Sequence, residues 1–189
     1  MGGVDKTTNN GMSWASTGLS GEDGRKLYKD GTTIYAGADG GHFWVSTNEG
    51  ASWMPRHIPL TTRRILSITS AGSKLYAGSE VDGIFMSTDN GMNWPSIGRP
   101  NLNVYTFSLL SSGSTIFAAD GGGLSKTTND GLNWSKSNEG ISSLSIRNFT
   151  SSANTLYSSI DPVGIFMSTN NGLTWIEKNN GFPNKPYCF

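Results

Sequence analysis

One eight-residue motif recurs five times along the chain, and that period restricts the chain to a repeat architecture. The copies are Thr7-Thr-Asn-Asn-Gly-Met-Ser-Trp14, Ser46-Thr-Asn-Glu-Gly-Ala-Ser-Trp53, Ser87-Thr-Asp-Asn-Gly-Met-Asn-Trp94, Thr127-Thr-Asn-Asp-Gly-Leu-Asn-Trp134 and Ser168-Thr-Asn-Asn-Gly-Leu-Thr-Trp175. Successive tryptophans stand 39, 41, 40 and 41 residues apart. The flanks repeat as well. Short runs rich in β-branched and aromatic residues precede each motif: Phe43-Trp-Val45, Ile84-Phe-Met86 and Ile165-Phe-Met167, with Val4 and Leu124 in the other two copies. Earlier runs read Ile34-Tyr-Ala-Gly37, Leu75-Tyr-Ala-Gly78, Ile116-Phe-Ala-Ala119 and Leu156-Tyr-Ser-Ser159. Earlier again come Arg25–Tyr28, Ile65–Ile68, Val104–Phe107 and Ile146–Phe149. Runs of this length and composition, bounded by Gly, Asn, Asp or Ser, are strand signals. No apolar stripe of helical period competes with them.

Each repeat therefore predicts four short antiparallel strands, with the motif on the turn between the third and the fourth and its tryptophan opening the fourth. Four strands per period of about 40 residues is the pattern of a propeller blade, which needs neighbours to bury its two faces. The fold class expected is an all-β propeller forming a single domain over 1–189, most simply five-bladed. Its repeats run over 1–18 (a half blade), 19–58, 59–99, 100–140 and 141–180, with a closing strand at 181–189. In that reading Pro186-Tyr-Cys-Phe189 aligns with Ile146-Arg-Asn-Phe149 and supplies the innermost strand of the blade begun at the N-terminus, so that both ends share the last blade. The alternative is an arc of a larger ring. Its unpaired edges would self-associate, so a monomer is expected if the ring closes and self-association if it does not.

The five segments resemble the Asp-box, or BNR, repeat, whose pattern is Ser/Thr-x-Asp-x-Gly-x-x-Trp. The resemblance spans the chain and implies a β-propeller. The box occurs in sialidases, endoglucanases, sortilin-type receptors and photosystem assembly factors, so it marks a fold and not an activity. A secreted or periplasmic setting is what the resemblance implies, although Met1-Gly-Gly-Val-Asp5 carries no signal peptide. The third-position Asn9, Asn48, Asp89, Asn129 and Asn170 are expected to bond N–H groups of their own turn. Gly11, Gly50, Gly91, Gly131 and Gly172 are expected at positive φ, and Trp14, Trp53, Trp94, Trp134 and Trp175 to wedge into the blades. Only Asp89 keeps the acid of the family pattern; an amide retains the acceptor oxygen, so a structural role is expected rather than a catalytic or metal-binding one.

No catalytic constellation stands out. Sialidases of the family use an arginine triad introduced by an Arg-Ile-Pro motif, and none of Arg25, Arg56, Arg63, Arg64, Arg99 or Arg147 has that context. The repeated acids Asp39, Asp82, Asp120 and Asp161 fall in the loops between second and third strands, together with His57 on the face where propeller ligands bind. They form the candidate ligand face for a sugar, a cation or a basic peptide, against the plainer reading that Asp-Gly and Asp-Pro pairs make turns. Trp44, the one tryptophan outside the motifs, aligns with Phe85 and Phe166 and is expected in the core. His42 and His57 stand alone in different loops, so no metal site and no cofactor is expected. Cys188 is the single cysteine and cannot form an internal disulfide. Fourteen Lys and Arg balance fourteen Asp and Glu. That balance offers no basic surface for nucleic acid or an anionic membrane. The expected function is a non-catalytic scaffold that binds a glycan or a protein partner; the alternative is a glycoside hydrolase, sialidase- or endoglucanase-like, or an inactive fragment of a larger propeller.

Overall fold

A computed structural model describes residues 3–20, 24–59, 63–98 and 105–181. Within them the chain makes five antiparallel sheets in sequence order. Sheet 1 pairs β1 (Gly3–Lys6) with β2 (Ala15–Ser20). Sheet 2 is the meander β3 (Gly24–Asp30), β4 (Thr33–Ala38), β5 (His42–Ser46), β6 (Met54–His57). Sheet 3 holds β7 (Ile65–Ala71), β8 (Lys74–Ser79) and β9 (Ile84–Ser87). Sheet 4 holds β10 (Thr106–Ser112), β11 (Thr115–Asp120), β12 (Gly123–Thr127) and β13 (Ser135–Lys136). Sheet 5 holds β14 (Ile146–Ser152), β15 (Thr155–Ile160), β16 (Gly164–Ser168) and β17 (Ile176–Glu177). Each predicted run lies on its strand except Val104–Phe107, of which only Thr106 and Phe107 fall on β10 and Val104 lies outside the described residues. Sheet 3 lacks a full fourth strand because Pro95 brings no N–H to its start, leaving one bridge between Phe85 and Ser96.

The first strands β3, β7, β10 and β14 pack side by side, so the sheets stack as propeller blades do. The core lies between sheets. Phe43, Val45, Ile65, Ile68, Phe85 and Trp94 fill the junction of sheets 2 and 3. Tyr76, Ile84, Leu109 and Ile116 fill that of sheets 3 and 4, and Phe117, Leu124, Ile146, Phe149 and Trp175 that of sheets 4 and 5. Close approach needs small residues on the second strand: a Cβ on Gly37 would stand 2.7 Å from Ile65, and one on Gly78 2.7 Å from Thr106. Among the described residues the row of sheets is not closed into a ring. The tail expected to close it, and Cys188 with it, lie outside the described residues. Among the described residues no helix is long and apolar enough to cross a membrane.

The motif turns share one geometry. The first hydroxyl (Thr7, Ser46, Ser87, Thr127, Ser168) accepts the glycine N–H at 2.8–3.0 Å. The third-residue oxygen accepts the N–H of the seventh residue at 2.9–3.0 Å, as expected of it. The five glycines have φ between 70° and 87°. The tryptophans go to the junction with the preceding sheet rather than into their own: Trp94 meets Phe43 edge-on at 4.9 Å, and Trp175 Nε1 donates to Ser137 O at 2.8 Å. Both are 3% exposed, whereas Trp14, with no sheet before its own among the described residues, is 65% exposed.

Asp89 differs from the asparagines in its partners. Its carboxylate accepts the Asn93 N–H and side-chain amide and the Ser87 hydroxyl, which together hold its pKa down at about 2. Asn9, Asn48 and Asn170 instead donate their amides to hydroxyls of Ser13, Ser52 and Thr174. A depressed carboxylate pKa stabilises the fold above the unfolded value near 4, and the effect is lost as pH falls through 2. The urea midpoint of the wild type should therefore drop from pH 4 to pH 2 more than that of Asp89→Asn, and Asp89→Asn/Asn93→Ser should be more stable at pH 7 than Asp89→Asn alone. A second test concerns the two-residue turns between first and second strands. Gly31, Gly72 and Gly113 occupy their first central position at φ 57–59°, but sheet 5 puts Ala153 there at φ 50°. Ala153→Gly should raise stability by about 1 kcal/mol by relieving left-handed strain, read from the same urea midpoint.

Candidate functional site

The loops between second and third strands lie at the end of each sheet opposite the motif turns. Asp39 opens the 3-10 turn Asp39–Gly41 that follows β4. Its carboxylate is gripped by Arg25, with Nε at 2.8 Å and Nη2 at 3.1 Å, and approached by Arg64 Nε at 3.6 Å. Arg64 reaches on to Glu80 at 3.5 Å, so charges alternate from sheet 2 into sheet 3. The Arg25 hydrogen bond, reinforced by the charges of Arg25 and Arg64, holds the Asp39 carboxyl below the usual carboxylate range.

The other acids are engaged differently. Asp82 sits in the turn after β8, its N–H donating to Ser79 Oγ at 2.8 Å. Asp120 is buried and accepts the Gly122 N–H at 2.7 Å, closing its own loop. Asp161 follows β15, is joined to Pro162 by a cis peptide, and meets Arg147 at 3.8 Å. Arg147 also lies over the Phe107 ring at 5.3 Å, and Phe107 stacks on Tyr105 at 5.6 Å. Asp39 and Asp161 thus have arginines as partners, while Asp120 serves its turn. Arg25 and Arg147 stand at the same register position, one residue into the first strand. Sequence reasoning passed over these arginines because it compared acids with acids and not acids with the cations one strand away.

His57 ends β6 and faces His42 across the ladder, with ring centroids 5.8 Å apart. His42 in turn meets Trp44 edge-on at 5.7 Å. These three side chains, Pro55 and Arg56 line an open cleft of about 510 Å³. Trp44 is half-buried here, whereas Phe85 and Phe166 at its register position are fully buried. The difference has a cause in the fold: sheet 1, on the side that Trp44 faces, has only two strands among the described residues. Arg56 Nη1 donates to Pro55 O at 2.9 Å, and its buried Nε has no partner. A partly exposed indole next to the His42 imidazole, with His57 beyond it, combines an apolar platform with hydrogen-bonding groups. Among the described residues no three His, Cys, Asp or Glu gather to hold a metal ion.

No family model and no curated protein matches the sequence. Solved structures do match the fold. The chain superposes on an ancestral GH74 enzyme with a TM-score of 0.73 at 21% identity, over 97% of this chain and 29% of that one. It superposes on the GH74 xyloglucanase from Xanthomonas campestris with a TM-score of 0.63 at 12% identity, over 86% of this chain and 31% of that one. For YCF48 bound to D1 peptide the TM-score is 0.64 at 15% identity, over 90% and 59% of the two chains. The chain therefore spans less than a third of the GH74 proteins it matches, and it shares with all three the β-propeller fold. Arg25→Ala should move the Asp39 titration upward, toward the ordinary carboxylate range, followed by side-chain carboxyl NMR shifts between pH 2 and 6. Loss of that pairing removes stability that the wild type has above about pH 4 and loses as pH falls through the depressed value.

Proposed function

We propose that this chain is a non-catalytic binding scaffold built from Asp-box blades and that the cleft of Trp44, His42, His57 and Arg56 holds a glycan. The observation that carries this reading is the exposure of Trp44. A tryptophan left partly exposed, at a place where sheets 3 and 5 bury a phenylalanine, offers a flat face to the apolar side of a sugar ring. The His42 imidazole stands beside it, and His57 beyond His42, as hydrogen-bond partners for ring hydroxyls. A glycoside hydrolase needs one carboxyl kept protonated to act as general acid. Asp39, held ionised by its two arginines, is not such an acid.

Xyloglucanase activity among the structural neighbours makes xyloglucan oligosaccharides the first ligands to offer. Isothermal titration against a panel of β-glucan and xyloglucan oligosaccharides should give a saturable heat that Trp44→Ala weakens at least tenfold, with the thermal midpoint falling by only a few degrees. Binding unchanged in Trp44→Ala would remove the cleft from the proposal, and a flat titration across a broad glycan panel would remove the glycan.

A further inference from the structure

The motif turn of one sheet clasps the second and third strands of the sheet before it, and the fourth motif residue does the reaching. Tyr35 hydroxyl donates to Asn90 Oδ1 at 2.9 Å between sheets 2 and 3. Tyr76 hydroxyl donates to Asp130 Oδ1 at 2.8 Å between sheets 3 and 4, with Lys74 Nζ on the other carboxylate oxygen. Asn171 Nδ2 donates to Thr115 Oγ1 at 3.5 Å between sheets 4 and 5. The motif glycine and tryptophan complete each clasp, as Gly91 and Trp94 do against Phe43.

Among the described residues, two halves of this junction are left unmatched at the ends of the row. Sheet 1 presents a motif whose Trp14 is 65% exposed and whose Asn10, equivalent to Asn90, makes no side-chain hydrogen bond among the described residues. Sheet 5 presents Tyr157, paired with Met167 as Tyr35 is with Val45 and Tyr76 with Met86. Tyr157 lies beside Phe149 and Ile165 in an open pocket of about 200 Å³, and its hydroxyl has no partner among the described residues. The two faces are complementary in the same sense as the junctions of sheets 2 with 3 and 3 with 4, and among the described residues they stand at opposite ends of a row that is not closed.

We infer that the outer face of sheet 5 receives the motif turn of sheet 1 from a second copy of this chain. Tyr157 hydroxyl then donates to the partner copy's Asn10, and the indole of Trp14 is buried against β15 and β16 as Trp94 is against sheet 2. A net charge of zero puts no long-range repulsion between copies. The contact is heterologous, head to tail, and propagates until a ring closes.

Sedimentation velocity across a wide concentration range tests this. The wild type should rise with concentration from 20.2 kDa to at least twice that mass. Trp14→Arg and Tyr157→Arg, each checked for native far-UV circular dichroism, should stay monomeric alone. Mixed in equal amounts they should form a one-to-one complex, because each retains the face that the other lacks. A wild type that stays monomeric at every concentration overturns the inference in favour of closure within one chain or of unused edges. Association that survives either substitution places the contact on another surface, and variants that remain monomeric when mixed replace head-to-tail contact with a symmetric one.

Discussion

Everything in this structure depends on the motif turn reaching backward across a sheet boundary. A sheet of four short strands has two faces and no interior of its own, so it is stable only between neighbours. The turn solves two problems with one loop. Its first and third residues satisfy the backbone N–H groups that a tight turn would otherwise leave open. With its own backbone settled, the turn is rigid enough to hold the fourth residue at positive φ and aim it, with the tryptophan, at the preceding sheet. Local hydrogen bonding and long-range packing are thus the same structural element seen from two sides.

Stability is accordingly distributed by junction and not by sheet. The junctions of sheets 2 with 3, 3 with 4 and 4 with 5 each hold a cluster of buried apolar side chains. The boundary between sheets 1 and 2 is joined more lightly, by Trp53 Nε1 to Thr17 Oγ1 at 3.1 Å and Lys6 Nζ to Glu49 O at 3.4 Å. The half-open cleft at Trp44 belongs to that boundary. The cleft arises there because, among the described residues, sheet 1 has only two strands to lay against Trp44.

Much of this was legible in the residues. The period of the tryptophans placed the observed strands, though not the missing fourth strand of sheet 3, since alternation and turn signals recur in phase with it, and the hydrogen bonds of the third motif residue follow from its chemistry. The fourth motif position was not legible. Asn10, Glu49, Asn90, Asp130 and Asn171 vary in charge and size, and what unites them is a backbone conformation that no side-chain pattern reveals. Trp44 was misread for a related reason. Alignment with Phe85 and Phe166 gives its register but not the number of strands opposite it, and that number decides its exposure. The ion pairs of Asp39 and Asp161 join residues 14 apart that come together only once the strands are paired.

The partners of the third motif residue carry a consequence for how such a chain can change over time. Asp89 works with the amide of Asn93, and Asn9, Asn48 and Asn170 work with a hydroxyl four residues on. These are two self-consistent spellings of one turn, with donor and acceptor exchanged between the two positions. Passing from one spelling to the other takes two replacements, and the order matters: changing the acid first sets amide against amide. Asn129 and Asn133 stand at that halfway combination, keeping the main-chain bond at 3.0 Å. Asn129 is one replacement from the acidic spelling, and Asn133 one from the hydroxyl spelling. The fourth repeat is the crossing point between the two dialects, and the backbone bond is what makes the crossing passable.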